Sequence, residues 1–214
     1  MSRRVLDLSV KRIFDVVCSL FGLAVLLLPL LLVAALVKLQ DWGPVFYQGT
    51  RVGRNGKPFR MLKFRTMVAD AESLGGLATP EGDPRVTSVG ALLRKFKLDE
   101  LPQLLNVLRG DMSLVGPRPE ALVYFEHYLP EERAIILSVR PGITDPCSVR
   151  FHDEGKYLVG SDNPVAAYID RIMKEKIQMQ IDYIRKRTLL TDLRTILRTI
   201  STLVTTRLSR SRVG

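Results

Sequence analysis

Cysteine is nearly absent: Cys18 and Cys147 are the only two in 214 residues. They define no disulfide framework and no zinc spacing, and the simplest reading is two reduced thiols in a cytosolic protein. There is no Walker loop, no G-x-G-x-x-G fingerprint and no Ser/His triad signature. Repeats and low-complexity segments are missing as well. The net charge of +10 would suit nucleic acid, but the cations follow apolar stripes instead of interleaving with aromatics. Nucleic acid is therefore not an expected partner.

The charge is unevenly spread. Arg3, Arg4, Lys11 and Arg12 crowd one end, while Arg185, Lys186, Arg187, Arg194, Arg198, Arg207, Arg210 and Arg212 crowd the other. An anionic membrane surface or a phosphorylated substrate fits such a balance. A chain of this length holds one ordinary domain plus appendages.

From Val16 to Val37 runs an apolar stretch of 22 residues, long enough to cross a bilayer core of about 30 Å. A cleaved signal peptide would carry an apolar core of only about 7–15 residues. Pro29 falls near the middle, where it removes a backbone hydrogen bond and kinks a helix. Cations flank both sides (Lys11 and Arg12 before, Lys38, Arg51, Arg54 and Lys57 after), so the positive-inside rule orients nothing. Two readings stand: a simple span, or a helix that enters one leaflet, bends at Pro29 and returns to the same face.

After Gly43-Pro44 the pattern becomes short strands. Val45–Gln48 and Arg51–Arg54, an Asn55-Gly56 turn, and Phe59–Arg65 read as a hairpin. Period two places Lys63 and Arg65 on one face. Val68–Arg85 is punctuated by Gly and Pro and reads as a helix stub followed by a mobile loop. A helix from about Ser88 is expected to turn Leu92, Leu93 and Phe96 inward and Arg94, Lys95 and Lys97 outward. Met112–Val115 is a strand candidate, followed by Arg118 held between Pro117 and Pro119. Arg140 is a second cation at a turn. The segment Asp145–Asp162 reads as polar and irregular; its His152, Asp153 and Glu154 read as solvated loop residues rather than metal ligands.

Asn163-Pro164 opens a helix through about Arg187. Beyond Thr188, the residues Leu189, Leu190, Leu193, Ile196, Leu197, Ile200, Leu203 and Val204 form an apolar stripe, with Arg194, Arg198 and Arg207 off it. That pattern is an amphipathic helix for a membrane surface, or one packed on the protein's own core.

The centre of the chain is Asp99-Glu100, which follows a run of cations and precedes Leu101, Leu104, Leu105 and Leu108 at helical spacing. Pro102 is tolerated only in that helix's first turn, which places Asp99 near the N-cap. Backbone N–H groups and the positive end of the helix dipole favour a carboxylate or a bound phosphate there. The pair reads either as a cap or as chemistry. Neighbouring residues point about 100° apart, so the two cannot face each other across a glycosidic bond. They can divide two tasks, attack on phosphorus and coordination of Mg²⁺, with Lys63, Arg65, Arg94 and Arg118 to neutralise phosphate oxygens.

Several stretches together resemble the bacterial sugar transferases, the small monotopic phosphoglycosyl transferases. They are Lys11–Asp15, Gly43–Phe46, Lys63–Met67, Leu98–Val107, Gly110–Pro119 and Arg140–Thr144, in the family's order. The resemblance implies transfer of sugar-1-phosphate from a UDP-sugar to polyprenol (undecaprenyl) phosphate, with UMP released, as the first membrane step of a bacterial surface glycan pathway. It implies Asp99 as nucleophile forming an aspartyl phosphosugar, and Glu100 as the Mg²⁺ ligand. Arg94 and Arg118 are implied phosphate contacts. Lys63 and Arg65 join them, with Gln103, Arg140 and Arg150 as further substrate-binding candidates.

The same resemblance implies the re-entrant reading and a place on the bacterial inner membrane with the catalytic domain facing the cytoplasm. The expected fold is mostly α with a small β-hairpin (α+β). A kinked membrane helix fills 1–40, one catalytic domain 41–187, and an amphipathic helix with a basic tail 188–214. Membrane lipid is an expected partner and a homodimer is left open. Two departures stand out: Leu28 precedes Pro29 where some members have Ser, and Asp145-Pro146-Cys147 follows Thr144 where many continue with Gly. The competing reading is a non-catalytic peripheral adaptor that binds anionic lipid.

Overall fold

A computed structural model describes residues 2–74, 82–120, 122–151, 166 and 168–210. Helix α1 (Ser2–Asp41) is unbroken and contains Pro29. Strands β1 (Phe46–Val52) and β2 (Pro58–Phe64) form an antiparallel hairpin with Phe46 opposite Phe64 and Val52 opposite Pro58. The sequence divided β1 into two strands. The structure joins them into one, and the reversal falls at Asn55-Gly56 as expected, in the short 3₁₀ turn Arg54–Gly56, where Asn55 takes the left-handed conformation its side chain tolerates.

The stub α2 (Ala71–Leu74) is present. The rest of the expected mobile loop partly lies outside the described residues, as do His152, Asp153, Glu154 and the Asn163-Pro164 cap. Helix α3 (Ser88–Phe96) starts on Thr87, whose hydroxyl accepts the Gly90 N–H. Leu93 points inward as expected, but Leu92 is exposed and Arg94 is half-buried, a rotation of the expected face. Gly90 sets that rotation: a Cβ there would stand 1.9 Å from the Thr66 carbonyl oxygen, so α3 presses its glycine edge onto the end of the hairpin.

The 3₁₀ turn Leu98–Glu100 leads into α4 (Gln103–Arg109). Strand β3 (Ser113–Val115), helices α5 (Leu122–Phe125) and α6 (Pro130–Ile136), and strand β4 (Gly142–Thr144) follow. β3 and β4 pair in parallel. Asp145 accepts the Ser148 N–H and opens α7 (Pro146–Arg150), within a segment the sequence read as irregular. A π-helical turn at Ile169–Met173 runs into α8 (Lys174–Lys186), and α9 (Leu189–Arg210) completes the described chain. The largest core cluster joins α6, α7 and α8 around Ile136, Cys147, Ile172 and Ile177. Both cysteines are free thiols.

Helix α1 is tied to this body at both ends. Near its start, Arg12 donates to the carbonyls of Val107 (2.6 Å) and Leu108 (3.0 Å), satisfying the open end of α4. Buried Asp15 accepts from the Ser113 hydroxyl (2.8 Å) and the Leu114 N–H (3.2 Å). Near its end, Val37 packs with Phe64 and Leu93. Asp41 receives two nitrogens of Arg65. Between these anchors the outer face shows Val17, Phe21, Val25, Leu28 and Leu32 to the surroundings.

Helix α9 is turned inside out for a water-soluble helix. Asp192, Thr195 and Thr199 share one face and point at the protein. Asp192 is 1% exposed and takes hydrogen bonds from Lys11 Nζ (2.5 Å) and the Tyr183 hydroxyl (2.7 Å). The Thr199 hydroxyl lies 2.7 Å from that of Thr144. Leu190, Leu193, Leu197 and Ile200 point outward, beside exposed Arg194 and Arg198. Packing of the apolar stripe on the protein's own core is therefore not what holds α9.

Candidate active site

The acidic pair is delivered by a sharp reversal, not by a helix cap. Lys97 ends α3 in the left-handed conformation (φ 52°), a costly one for a side chain with a Cβ. It starts the 3₁₀ turn that carries Asp99 and Glu100, and Pro102 stands at the N-cap of α4. Asp99 thus lies one turn earlier than the leucine spacing indicated.

Glu100 is the charged hub. One of its oxygens, Oε1, accepts both Lys63 Nζ and Arg118 Nη2, each at 2.8 Å. Burial pushes the carboxyl up, but Arg118 and Lys63 outweigh it and hold Glu100 well below the usual carboxylate range. Lys63 reaches the pair from β2, and Arg118 from the loop after β3. Asp145, which is fully buried, accepts the Arg118 backbone N–H (3.3 Å) and a Gln180 side-chain N–H (3.3 Å), fixing that loop from behind.

Asp99 is the opposite case. It is 7% exposed, and its Oδ1 has no hydrogen-bond partner among the described residues. Burial raises its pKa, and the Glu100 charge adds to this against Lys63, Lys97 and Arg94. Burying a carboxylate oxygen without a donor is expensive. Arg94 donates Nε to the Thr66 hydroxyl (2.8 Å) and contributes positive charge at Asp99. Gln103 is buried at the start of α4.

One expected phosphate contact, Arg65, and two further substrate-binding candidates, Arg140 and Arg150, have partners of their own in the structure. Arg65 gives Nε to the Pro44 carbonyl (2.7 Å) and its other nitrogens to Asp41 and Val37, because the strand ends at Phe64 and the period-two alternation stops with it. Arg140 donates Nε to the Gly110 carbonyl (2.7 Å) beyond the far end of α4. Arg150 is mostly exposed and pairs with Glu175 at 2.6 Å. Sequence reasoning missed Asp145 as the support of Arg118 and Thr66 as the partner of Arg94. The Asp-Pro pair after Thr144, a helix-opening signal, was the available clue to Asp145.

The metal candidate is Glu100. Among the described residues no group of three potential ligands gathers, and the Glu100 oxygen that Lys63 and Arg118 do not take is the donor the site offers. A carboxylate oxygen completed by substrate phosphates and water is a usual setting for Mg²⁺, and Glu100 fits it.

Comparison with known proteins places the chain in a family. The chain is 43% identical over 199 residues to a UDP-glucose:undecaprenyl-phosphate glucose-1-phosphate transferase of Caulobacter vibrioides, covering 92% of this chain and 70% of that protein. It is 37% identical over 205 residues to the exopolysaccharide production protein ExoY of Sinorhizobium fredii, covering 89% and 83%. A UDP-N-acetylgalactosamine-undecaprenyl-phosphate N-acetylgalactosaminephosphotransferase of Aeromonas hydrophila is 35% identical over 198 residues, 92% of this chain and 44% of that one. Residues 6–206 match the family described as bacterial sugar transferase, which is nearly the whole chain, and the chain belongs to that family of enzymes.

Proposed function

We propose that this transferase moves sugar-1-phosphate from a UDP-sugar to a polyprenol phosphate, in two displacements at phosphorus. Asp99 attacks the β-phosphorus of the donor, an Asp–O–P bond forms, and the bond from that phosphorus to the bridging oxygen breaks. UMP leaves with the electron pair. A phosphate oxygen of the polyprenol phosphate then attacks the same phosphorus and displaces Asp99, which regains its carboxylate. The product is polyprenol-diphosphate-sugar. The observation that carries this reading is the buried, unpartnered Oδ1 of Asp99 under the charges of three cations, Lys63, Lys97 and Arg94.

Each residue has a task that follows from its contacts. Desolvation keeps Asp99 nucleophilic by withholding hydrogen bonds from one oxygen. Lys63 and Arg118 hold Glu100 in a single orientation, leaving its other oxygen for Mg²⁺. A bound Mg²⁺ supplies charge neutralisation across the diphosphate. Arg94 and Arg118 add cations where negative charge spreads over the equatorial oxygens.

The membrane supplies the acceptor. Both flanks of the apolar run in α1 are bonded to the same domain, which supports entry and return on one face rather than a span. The outward leucines of α9 support a surface seat for the domain, on the cytoplasmic side of a bacterial inner membrane.

The test is UMP release from a panel of UDP-sugars with polyprenol phosphate and Mg²⁺, comparing the parent with Asp99→Asn and Glu100→Gln. Asp99→Asn is expected to lose at least about a thousandfold, as removal of a nucleophile does. Full activity in Asp99→Asn removes the covalent mechanism, and absence of UMP with every donor removes the UDP-sugar reading.

A further inference from the structure

A second group of cations lies at the other end of α4. Arg12, Arg54, Arg140 and Arg187 line a cavity of about 30 Å³ together with Lys11 and Asp15. Arg12 donates to the carbonyls that close α4, whereas the acidic pair precedes its first turn. The length of α4, about 10 Å at 1.5 Å per residue, separates the two places.

The charges around this cavity do not balance. Among the described residues Asp15 is the sole carboxylate lining it, its oxygens occupied by Ser113, the Leu114 N–H and Lys11 at 3.7 Å, and Asp192 outside the lining answers Lys11 at 2.5 Å. Arg54 donates only Nε, to the Ser138 carbonyl (3.1 Å), and Arg140 only Nε, to Gly110. Arg187 makes no hydrogen bond or ion pair among the described residues. The outer nitrogens of Arg54, Arg140 and Arg187 are thus left without acceptors. Burial, followed by the Arg12 and Arg54 charges, holds the Arg140 pKa below its ordinary value against the opposing charge of Asp15.

We infer that this cavity is a second anion site of the chain, built to take one phosphate group and separate from the acidic pair. The volume admits about two waters, which is room for two of a phosphate's four oxygens. Guanidinium groups arranged in forks match phosphate oxygens in pairs. The position selects between sources of phosphate. Leu8 lines the cavity, and exposed Val17, Leu20 and Phe21 begin a turn or two beyond Arg12 on α1. A phosphate held here sits where the charged start of α1 gives way to its apolar face, the level of a phospholipid headgroup. A free phosphate ion is the other source of the same chemistry.

The full chain in neutral maltoside detergent is titrated calorimetrically with inorganic phosphate and, separately, with short-chain phosphatidylglycerol below its micelle concentration. The parent and the variants Arg54→Gln/Arg187→Gln and Arg118→Gln are compared. Binding that weakens with salt, weakens at least about tenfold in Arg54→Gln/Arg187→Gln and persists in Arg118→Gln is the expected result. Tighter binding of the lipid than of the ion identifies a headgroup site, and equal binding identifies a free-phosphate site. If the double variant does not fold, Arg187→Gln alone decides, since no contact is lost with it. Equal binding in parent and variant, or loss only in Arg118→Gln, overturns the proposal.

Discussion

Asp99 and Glu100 occupy one 3₁₀ turn, yet their surroundings drive their protons in opposite directions. Glu100 receives two cations on one oxygen, while Asp99 is buried with an oxygen that nothing satisfies. The turn spends the favourable contacts on one carboxylate and leaves the other costly and reactive.

Stability should therefore rise when Asp99 is neutralised. Its folded pKa lies above the ordinary 3.8, so below that pH both states hold the proton and nothing is lost. As pH rises the unfolded chain ionises first, and above the folded pKa the full penalty stands. Asp99→Asn removes that penalty at neutral pH. A gain on the order of 1 kcal/mol would raise Tm by about 2–4 °C in a chain this size, while activity is lost. Differential scanning fluorimetry at pH 7 and pH 4 checks it, with the difference shrinking at pH 4.

On the proposed mechanism Asp99 must be ionised to attack, so the acidic limb of the pH–rate profile should report it. Lys63→Met removes a cation that lowers its pKa, so the limb should move to higher pH. Glu100→Gln removes a charge that raises it, so the residual activity should extend to lower pH. UMP release measured across pH 4–9 distinguishes the two directions.

Arg65, bound to Asp41, and Arg118, bound to Glu100, offer a test of which cations serve the fold and which the proposed reaction. Arg65→Gln should lower Tm yet keep kcat of the folded fraction within about threefold of the parent, under about 1 kcal/mol of barrier. Arg118→Gln should do the reverse. Arg65 also holds Asp41 at a pKa of about 2, a contribution present above the ordinary 3.8 and lost as pH falls toward 2. A Tm series in acid, on parent and Arg65→Gln, should converge.

Gly90→Ala puts a methyl carbon into the Thr66 carbonyl. Overpacking of this kind costs about 1–3 kcal/mol and moves α3, which carries Arg94. Both Tm and kcat should fall, and kcat should recover less than Tm when a stabilising osmolyte is added.

Sequence pattern gave the hairpin, α3, the helix after the acidic pair and the outward stripe of α9, because each rests on local periodicity or a local cap. It put Asp99 at the helix cap because a leucine period cannot register a left-handed residue such as Lys97, which inserts a turn of its own. Arg65 was drawn to phosphate because alternation continues on paper past Phe64, where the strand ends. β4, the Asp145 support and the anchoring of Arg140 depend on partners about 27–35 residues away, a range at which a single sequence carries no signal.

The outward face of α9 is open to direct measurement. With Trp42→Phe removing the single tryptophan, Leu197→Trp should emit at shorter wavelength on vesicles and be quenched by brominated acyl chains. A tryptophan at Lys186, beyond the stripe, should stay unquenched.

The double attachment of α1 also bears on how such a chain reaches its membrane. Lys11 and Arg12 before the apolar run are bonded to Asp192 and to the end of α4, and Asp41 after it to Arg65 of the same domain. On the proposed one-face topology neither cation would be carried through hydrocarbon, where a central cation costs about 2.5–3.5 kcal/mol even on insertion scales. Orientation would then follow from the side on which the domain folds, and insertion would amount to lowering an apolar edge into one leaflet.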